Sequence, residues 1–369
     1  MRKNVAFGAS TLGEKFLFYQ YKEIKIECFF DNYRYGEICG YKIKKPYYDE
    51  AYFIIVTTDR YLEVRKQLIH LGYEEFRDFI PYQMYKKKMA IIYGNCHMRA
   101  VKQYLETNTE FNKQYGIYPF PMIQEIPANF EYDKILPHCD LFLHQAIRIE
   151  NIYGEEFSSE NFIRYISDKC RFVALPNLYG MPKCFFPQID LSVRRNVRDG
   201  FQYTIGRDKN IVQWINQNVS LIEIKKYIKD CGGVYEKKDI LLLWTQFKEK
   251  LLDREKEWDV KISDYIFANY KDDKLFYDPN HISDVLVREI AIRTLKVLGY
   301  NGEVEDRCPL LLDTWETYIY KDVMDALELR FDQNHLRRCI RKISLNGKAT
   351  DSDEYIENLY KWEMFCNER

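Results

Sequence analysis

The sequence predicts an α/β protein built from two three-layer, parallel-sheet units, followed by a helical C-terminal extension. Three observations carry this. Short β-rich runs alternate with helix-compatible segments, as crossover-connected parallel strands require. The alternation restarts after a polar, basic connector, YQMYKKKM at 82–89, and from about residue 205 the apolar residues recur at three- and four-residue spacing. A chain of 369 residues is also too long for one ordinary core, since domains usually hold about 100–200 residues.

In chain order, the run KNVAF (3–7) ends at Gly8, a helix is expected near 13–21, and IKIECFF (24–30) closes at Asp31. A turn-rich stretch, DNYRYGEICGYKI, precedes a third strand in AYFIIVTT (51–58) and a helix around 59–71. Residues 1–87 form the first domain on this reading. The strand MAIIYG (89–94) opens the second, over 88–300, with further strands in CDLFLHQ (139–145) and CRFVALP (170–176). Amphipathic helices follow over 205–259, including DILLLWTQFKEKLLDREKEW, and in HISDVLVREIAIRTLKVLGY (281–300). The extension, 301–369, is expected to be mostly helical over 310–344; its basic run HLRRCIRK (335–342) reads as a solvated helix face, and Cys339 carries no implied role.

Composition narrows the function classes. With 46% hydrophobic and 30% charged residues, 31 Tyr and 23 Phe, the chain is globular and not disordered. A net charge of −1 gives no overall pull toward nucleic acid or an anionic membrane. Ten cysteines without a CxxC pair argue against a disulfide framework and a zinc module, and six histidines without HxH or HExxH spacing argue against a metal site. No run approaches the roughly 20 apolar residues of a transmembrane helix, and MRKNVAFGAS lacks a signal-peptide core, so a cytoplasmic location is expected.

Chemistry concentrates in two segments. In IIYGNCHMRAVKQYL (91–105) a strand ends at Gly94 and a helix begins near Cys96 or His97. A thiol at a helix N-terminus faces unpaired N–H groups whose partial positive charge favours thiolate, and the same groups can hold an oxyanion. Taken alone, Cys96 could equally be a small residue at a tight turn. In KLFYDPNHISD (274–284), Asp278 and His281 stand three residues apart before a long helix, so the carboxylate can orient the imidazole as a general base. The bland alternative makes Asp278 or Asn280 a helix cap and His281 a first-turn residue.

Together these segments resemble the SGNH hydrolase and transferase superfamily, whose first block carries the nucleophile after a strand and whose last is Asp-x-x-His. GNCH (94–97), the strand ending at Gln145, the ALPNLYG…FFP stretch (174–187) and FYDPNHIS are similar to the WcbI-type polysaccharide biosynthesis acetyltransferases. The resemblance, covering about residues 89–300, implies a flavodoxin-like fold, acetyl-coenzyme A as acyl donor and a sugar hydroxyl as acceptor. It implies Cys96 as nucleophile, His281 as base and Asp278 as its orienter, with Gly94, Asn95 and the Cys96 amide near the oxyanion and Gln145 lining the cleft. His97 departs from the glutamine expected after the cysteine, which leaves open contact with substrate, contact with coenzyme A or competition with His281. His144 and Asn177 are weaker candidates for the same cleft, a strand-end histidine more often being structural.

The first domain has its own candidate site: Gly8, Ser10 and Gly13 in GASTLG, with Asp31 placed as the ribose-binding acid of a dinucleotide fold. The fingerprint lacks a glycine. The stretch resembles small Rossmann-like nucleotide-sugar or coenzyme A-binding modules, with a degenerate scaffold or dimerisation surface as the alternative; a homo-oligomer is compatible with either. The activity expected of the whole chain is acetyl transfer to a surface-polysaccharide sugar. A carbohydrate esterase and a non-catalytic coenzyme A or nucleotide-sugar binding protein are the competing readings.

Overall fold

The computed structural model describes residues 2–21, 23–127, 129–148, 153–190, 207–306, 316–333, 335–336 and 350–367. The chain divides into two compact units. One comprises residues 1–93, 110–143 and 162–172, and the other 94–109, 144–161 and 173–369.

The first unit begins with β1 (Lys3–Phe7), α1 (Thr11–Lys15, continued by a π-helical turn to Gln20) and β2 (Ile26–Phe30). β3 (Gly36–Ile38), β4 (Tyr41–Lys44), β5 (Tyr52–Val56), α2 (Tyr61–His70) and β6 (Phe79–Pro81) follow. They form a six-stranded sheet of order β3-β4-β2-β1-β5-β6. β1 runs parallel to both β2 and β5, in register from Lys3 against Tyr52 to Phe7 against Val56. Val5, Ala6 and Phe7 and Ile54, Ile55 and Val56 are all buried, the near-continuous apolar pattern of strands covered on both faces.

The stretch read as turns contains an antiparallel hairpin, β3–β4, closed by Cys39 (φ 55°) and Gly40 (φ 79°). Positive φ at both central residues matches the right-handed strand twist. Cysteine in place of the usual Asn or Asp hid the turn from a composition-based reading. The three-residue β6 was also missed.

Beside this sheet the first unit buries an ionic cluster. Arg65 of α2 donates from Nε to Glu75 Oε2 at 2.6 Å, while the Tyr61 and Tyr118 hydroxyls donate to Glu75 Oε1 at 2.5 and 2.8 Å. Both charged side chains are nearly inaccessible, so their hydrogen bonds must offset the loss of hydration.

A second sheet contains β7 (Lys88–Tyr93), β8 (Tyr115–Ile117), β9 (Leu141–Gln145) and β10 (Arg171–Leu175), in the order β10-β9-β7-β8. Interspersed are α3 (Cys96–Leu105), α4 (Thr109–Gln114), α5 (Tyr132–Ile135) and α6 (Ser159–Ile163). The chain enters the second unit after β7, late in β9 and within β10.

The second unit continues with a short antiparallel pair, β11 (Ile189–Asp190) and β12 (Arg207–Asp208). Then come α7 (Lys209–Asn216), α8 (Leu221–Lys225), α9 (Lys237–Glu255), α10 (Ser263–Asn269) and α11 (Asp284–Leu298). α11 packs on α3, burying Val287, Ile290, Ala291 and Leu295 on one helix and Val101, Tyr104 and Leu105 on the other. The helical expectation over 310–344 needs correction. Among its described residues only α12 (Lys321–Leu327) is helical; residues 316–320 lie outside regular secondary structure, held by long-range hydrogen bonds, and His335–Leu336 is a strand, β13, paired with β14 (Thr350–Asp351) ahead of α13 (Ser352–Asn367). The rest of the basic run, with Cys339, lies outside the described residues.

Candidate active site

β7 is buried along Met89–Tyr93 and ends at Gly94, whose φ of 153° an L side chain rarely adopts. A Cβ there would also lie 2.6 Å from Gln145 Oε1 and 2.6 Å from Met98 Cγ, so the turn closes only around glycine. Asn95 is the N-cap of α3, its side chain accepting the His97 N–H at 3.0 Å. Cys96 is therefore the first helical residue, half-exposed at the positive end of a ten-residue helix.

Asp278 and His281 occupy a narrow clasp. Phe276 bridges Ile282, Tyr277 N–H donates to the His281 carbonyl at 2.9 Å and Ser283 N–H to the Leu275 carbonyl at 2.9 Å. Inside it, the fully buried Asp278 accepts the Asn280 and His281 N–H groups on Oδ1, at 2.6 and 3.0 Å, and the His281 Nδ1–H on Oδ2 at 2.7 Å. The carboxylate fixes the loop and the imidazole tautomer at once. It caps no helix, because α11 starts only at Asp284.

With Nδ1 committed to Asp278, the other ring nitrogen of His281 is left on the side of the Cys96 thiol, which lies near enough to help raise the His281 pKa. Burial disfavours the imidazolium, but the Asp278 charge and the hydrogen bonds to Asp278 and Cys96 prevail and push the His281 pKa up to about 10. A thiol, an imidazole and a carboxylate thus stand in series.

His97 does different work. It is buried, and its Nε2–H donates to the Asn280 backbone carbonyl at 2.6 Å. Burial, reinforced by the nearby His281, lowers its pKa to about 3 against the Asn280 hydrogen bond, so its ring is neutral at physiological pH. The neutral ring is tied by its N–H to a carbonyl, which joins the start of α3 to the Asp278–His281 loop.

Gln145 is fully buried, accepting the Asn95 N–H on Oε1 at 2.9 Å and donating from Nε2 to the Pro176 carbonyl at 3.2 Å. It braces the Gly94–Asn95 turn, and the Asn95 N–H is consequently engaged. His144 is buried with Nδ1 against the Gln145 carbonyl at 3.2 Å, and burial lowers its pKa despite Asp259 nearby. Asn177 accepts the Tyr179 N–H on Oδ1 at 3.3 Å, and its carbonyl accepts from Arg254 Nη1 at 3.4 Å.

Arg254 belongs to a group of cations that no sequence motif announced. Burial lowers the pKa of Lys250, and Arg254, Lys183 and Arg148 lower it further; Arg254 is lowered by burial and by Arg148, with Glu257 opposing. Lys250 and Arg254 are one helical turn apart on α9, but acidic neighbours in KEKLLDREKE masked them in sequence.

In the first unit, Asp31 is occupied by the main chain, accepting the Ala9 N–H on Oδ2 at 2.9 Å and the Tyr33 and Arg34 N–H groups on Oδ1 at 2.8 and 2.9 Å. A Cβ on Gly8 would meet the Thr57 carbonyl oxygen at 2.7 Å and one on Gly13 the Gly8 carbonyl oxygen at 2.5 Å, so these glycines serve close backbone packing. Ser10 precedes α1 without capping it. Among the described residues no cluster of His, Cys, Asp and Glu is placed to hold a metal ion.

A strand leading through a glycine turn to a thiol at a helix N-terminus, with a hydrogen-bonded Asp-x-x-His pair in the same unit, defines an α/β protein with a candidate active site. Residues 89–303 match the family model of the polysaccharide biosynthesis enzyme WcbI. The chain belongs to the WcbI family of polysaccharide biosynthesis enzymes. Its fold is similar to a solved WcbI structure, described as a native protein without a disulfide bond between coenzyme A and a cysteine. The TM-score is 0.60 at 19% identity, covering 76% of this chain and 90% of that one. A comparison with curated protein sequences gives no significant match.

Proposed function

We propose that this chain transfers an acetyl group from acetyl-coenzyme A to a sugar hydroxyl during capsule or other surface-polysaccharide assembly in the cytoplasm. The observation that carries the reading is the hydrogen-bonded pair Asp278–His281 with Cys96 beside it at the N-terminus of α3. The Cys96 thiolate attacks the thioester carbonyl, and the coenzyme A sulfur departs, taking the proton from the His281 imidazolium. Neutral His281 then accepts the proton of the attacking sugar hydroxyl, and collapse of the second tetrahedral adduct returns the Cys96 thiolate. The Cys96 amide and the Asn95 side-chain amide are the donors nearest the developing oxyanion, since the Asn95 and His97 N–H groups are already engaged. Direct transfer in a ternary complex uses the same groups.

Lys250 and Arg254, whose pKa values are lowered by burial and then by neighbouring positive charge, support a phosphate-bearing donor, because a polyanion relieves that charge. The test is titration of acetyl-coenzyme A into the purified protein, with intact mass measured for wild type and Cys96→Ala. Binding with an acetyl adduct on wild type alone supports the covalent route; binding without adduct supports direct transfer; absence of binding refutes coenzyme A as the donor.

A further inference from the structure

The matched family region ends at residue 303, yet the loop carrying Asp278 and His281 is also built from residues beyond it. Lys274, four residues before Asp278, donates from Nζ to Glu316 Oε1 at 2.6 Å and to the Thr317 carbonyl at 3.4 Å. The two side chains are only 12% and 8% exposed, so this is a buried ion pair. Thr317 N–H donates to the Tyr277 carbonyl at 2.6 Å, laying the segment 316–320 along the clasp. Its far side is pinned as well. Gln188 Nε2 donates to the Tyr318 carbonyl at 2.9 Å, and Gln333 clips Ile319 through both its main-chain groups, at 3.0 and 2.7 Å.

Such a pair is expensive to bury and adds little stability over an apolar replacement, so its presence beside a reactive loop calls for another reason. Charge supplies one. Lys274 attracts Asp278 as well as Glu316, and these attractions oppose the burial that disfavours its ammonium. One cation therefore balances two carboxylates in this corner. His281 in turn faces Asp278 and Cys96, with the His97 ring centroid 6.3 Å away.

We propose that Lys274 and Glu316 are a positioning pair through which the C-terminal segment holds the Asp278–His281 loop and sets a positive charge near Asp278. This rests on the thiol–imidazole–carboxylate reading above. Neither residue touches the reacting atoms; they act through Asp278. With Lys274 removed, Glu316 and Asp278 lose the cation that attracts both, His281 is less readily held as imidazolium, and alkylation of Cys96 is expected to need a higher pH.

The experiment follows the rate of Cys96 alkylation by iodoacetamide against pH, with the site identified by peptide mass, in full-length wild type, Lys274→Met, Glu316→Gln and the double variant Lys274→Met/Glu316→Leu. The double variant replaces both charges with apolar groups, an exchange that buried ion pairs commonly tolerate, so it keeps the test open if Lys274→Met fails to fold. The expected result is a pH midpoint raised by about one unit in Lys274→Met and in the double variant, and not raised in Glu316→Gln. Folded Lys274 variants with the wild-type midpoint overturn the proposal, as does an equal upward shift in all three. A wild-type profile matching that of His281→Ala sinks the underlying relay instead, which separates the two failures.

Discussion

The His97 imidazole donates from Nε2 to the backbone carbonyl of Asn280, 183 residues away in the chain, at 2.6 Å. This bond ties the helix bearing Cys96 to the loop bearing His281. A glutamine at 97 also carries a terminal N–H able to reach that carbonyl, whereas leucine fills the space without a donor. His97→Gln is expected to keep most of the iodoacetamide reactivity of Cys96, and His97→Leu to lose it together with about 1–3 kcal/mol of stability from the orphaned carbonyl. Urea unfolding and alkylation rates check both; equal behaviour of the two variants refutes the tie.

The two histidines impose opposite pH dependences on stability. His97 has its pKa lowered from 6.5 to about 3, so its contribution is fully present above pH 6.5 and is lost as pH falls toward 3. His281 has its pKa raised from 6.5 to about 10, so its contribution is fully present below pH 6.5 and is lost as pH rises through 10. At roughly 1.4 kcal/mol per unit, each limb amounts to several kcal/mol. Urea midpoints measured from pH 4 to 10 should flatten on the acid side in His97→Gln and on the alkaline side in His281→Gln; unchanged limbs contradict the assignment.

Asp278→Asn should leave the clasp folded, because an amide oxygen can still accept the Asn280 and His281 N–H groups that Oδ1 holds. The amide nitrogen, however, cannot accept the His281 Nδ1–H that Oδ2 now receives. The ring loses its fixed tautomer, and the proposed acetyl transfer is expected to fall by roughly a thousand- to ten-thousand-fold with a much smaller change in the proposed coenzyme A affinity. A loss confined to affinity contradicts a role behind the imidazole.

Gly94→Ala places a Cβ against Gln145 Oε1 and Met98 Cγ at a φ of 153°. A stability loss of roughly 1–3 kcal/mol is expected, from strain and from displacing the Gln145 brace on the Asn95 N–H. Thermal unfolding reports the strain, and a fall in Cys96 alkylation reports the displaced turn.

Glu75→Gln tests the first unit independently of the chemistry. It removes the carboxylate at 2.6 Å from the buried Arg65 and leaves only the half-exposed Glu131 at 3.3 Å, and breaking a buried pair from one side costs up to about 3–5 kcal/mol. Urea unfolding is the measurement, and a change below 1 kcal/mol excludes the pair as a structural tie.

The legible parts of this protein are those whose cause is local. Gly94-Asn95-Cys96 is readable because a strand-to-helix turn needs a glycine and a cap within three residues, and Asp278-x-x-His281 because one short loop carries both partners of a hydrogen bond. The apolar runs of β1, β5, β7 and β9 and the amphipathic spacing of α9 and α11 are set by burial on neighbouring residues in the same way. What the tertiary structure alone decided depends on partners distant in sequence. His97 is a tie because its ring meets the Asn280 carbonyl; Gln145 braces the turn because its amide meets Asn95 and Pro176. Asp31 is occupied by three main-chain N–H groups, and Lys274 finds Glu316 forty-two residues away. Spacing along a chain encodes period and turn chemistry, whereas the pKa of a histidine and the pairing of a buried lysine follow from which distant groups displace water around them.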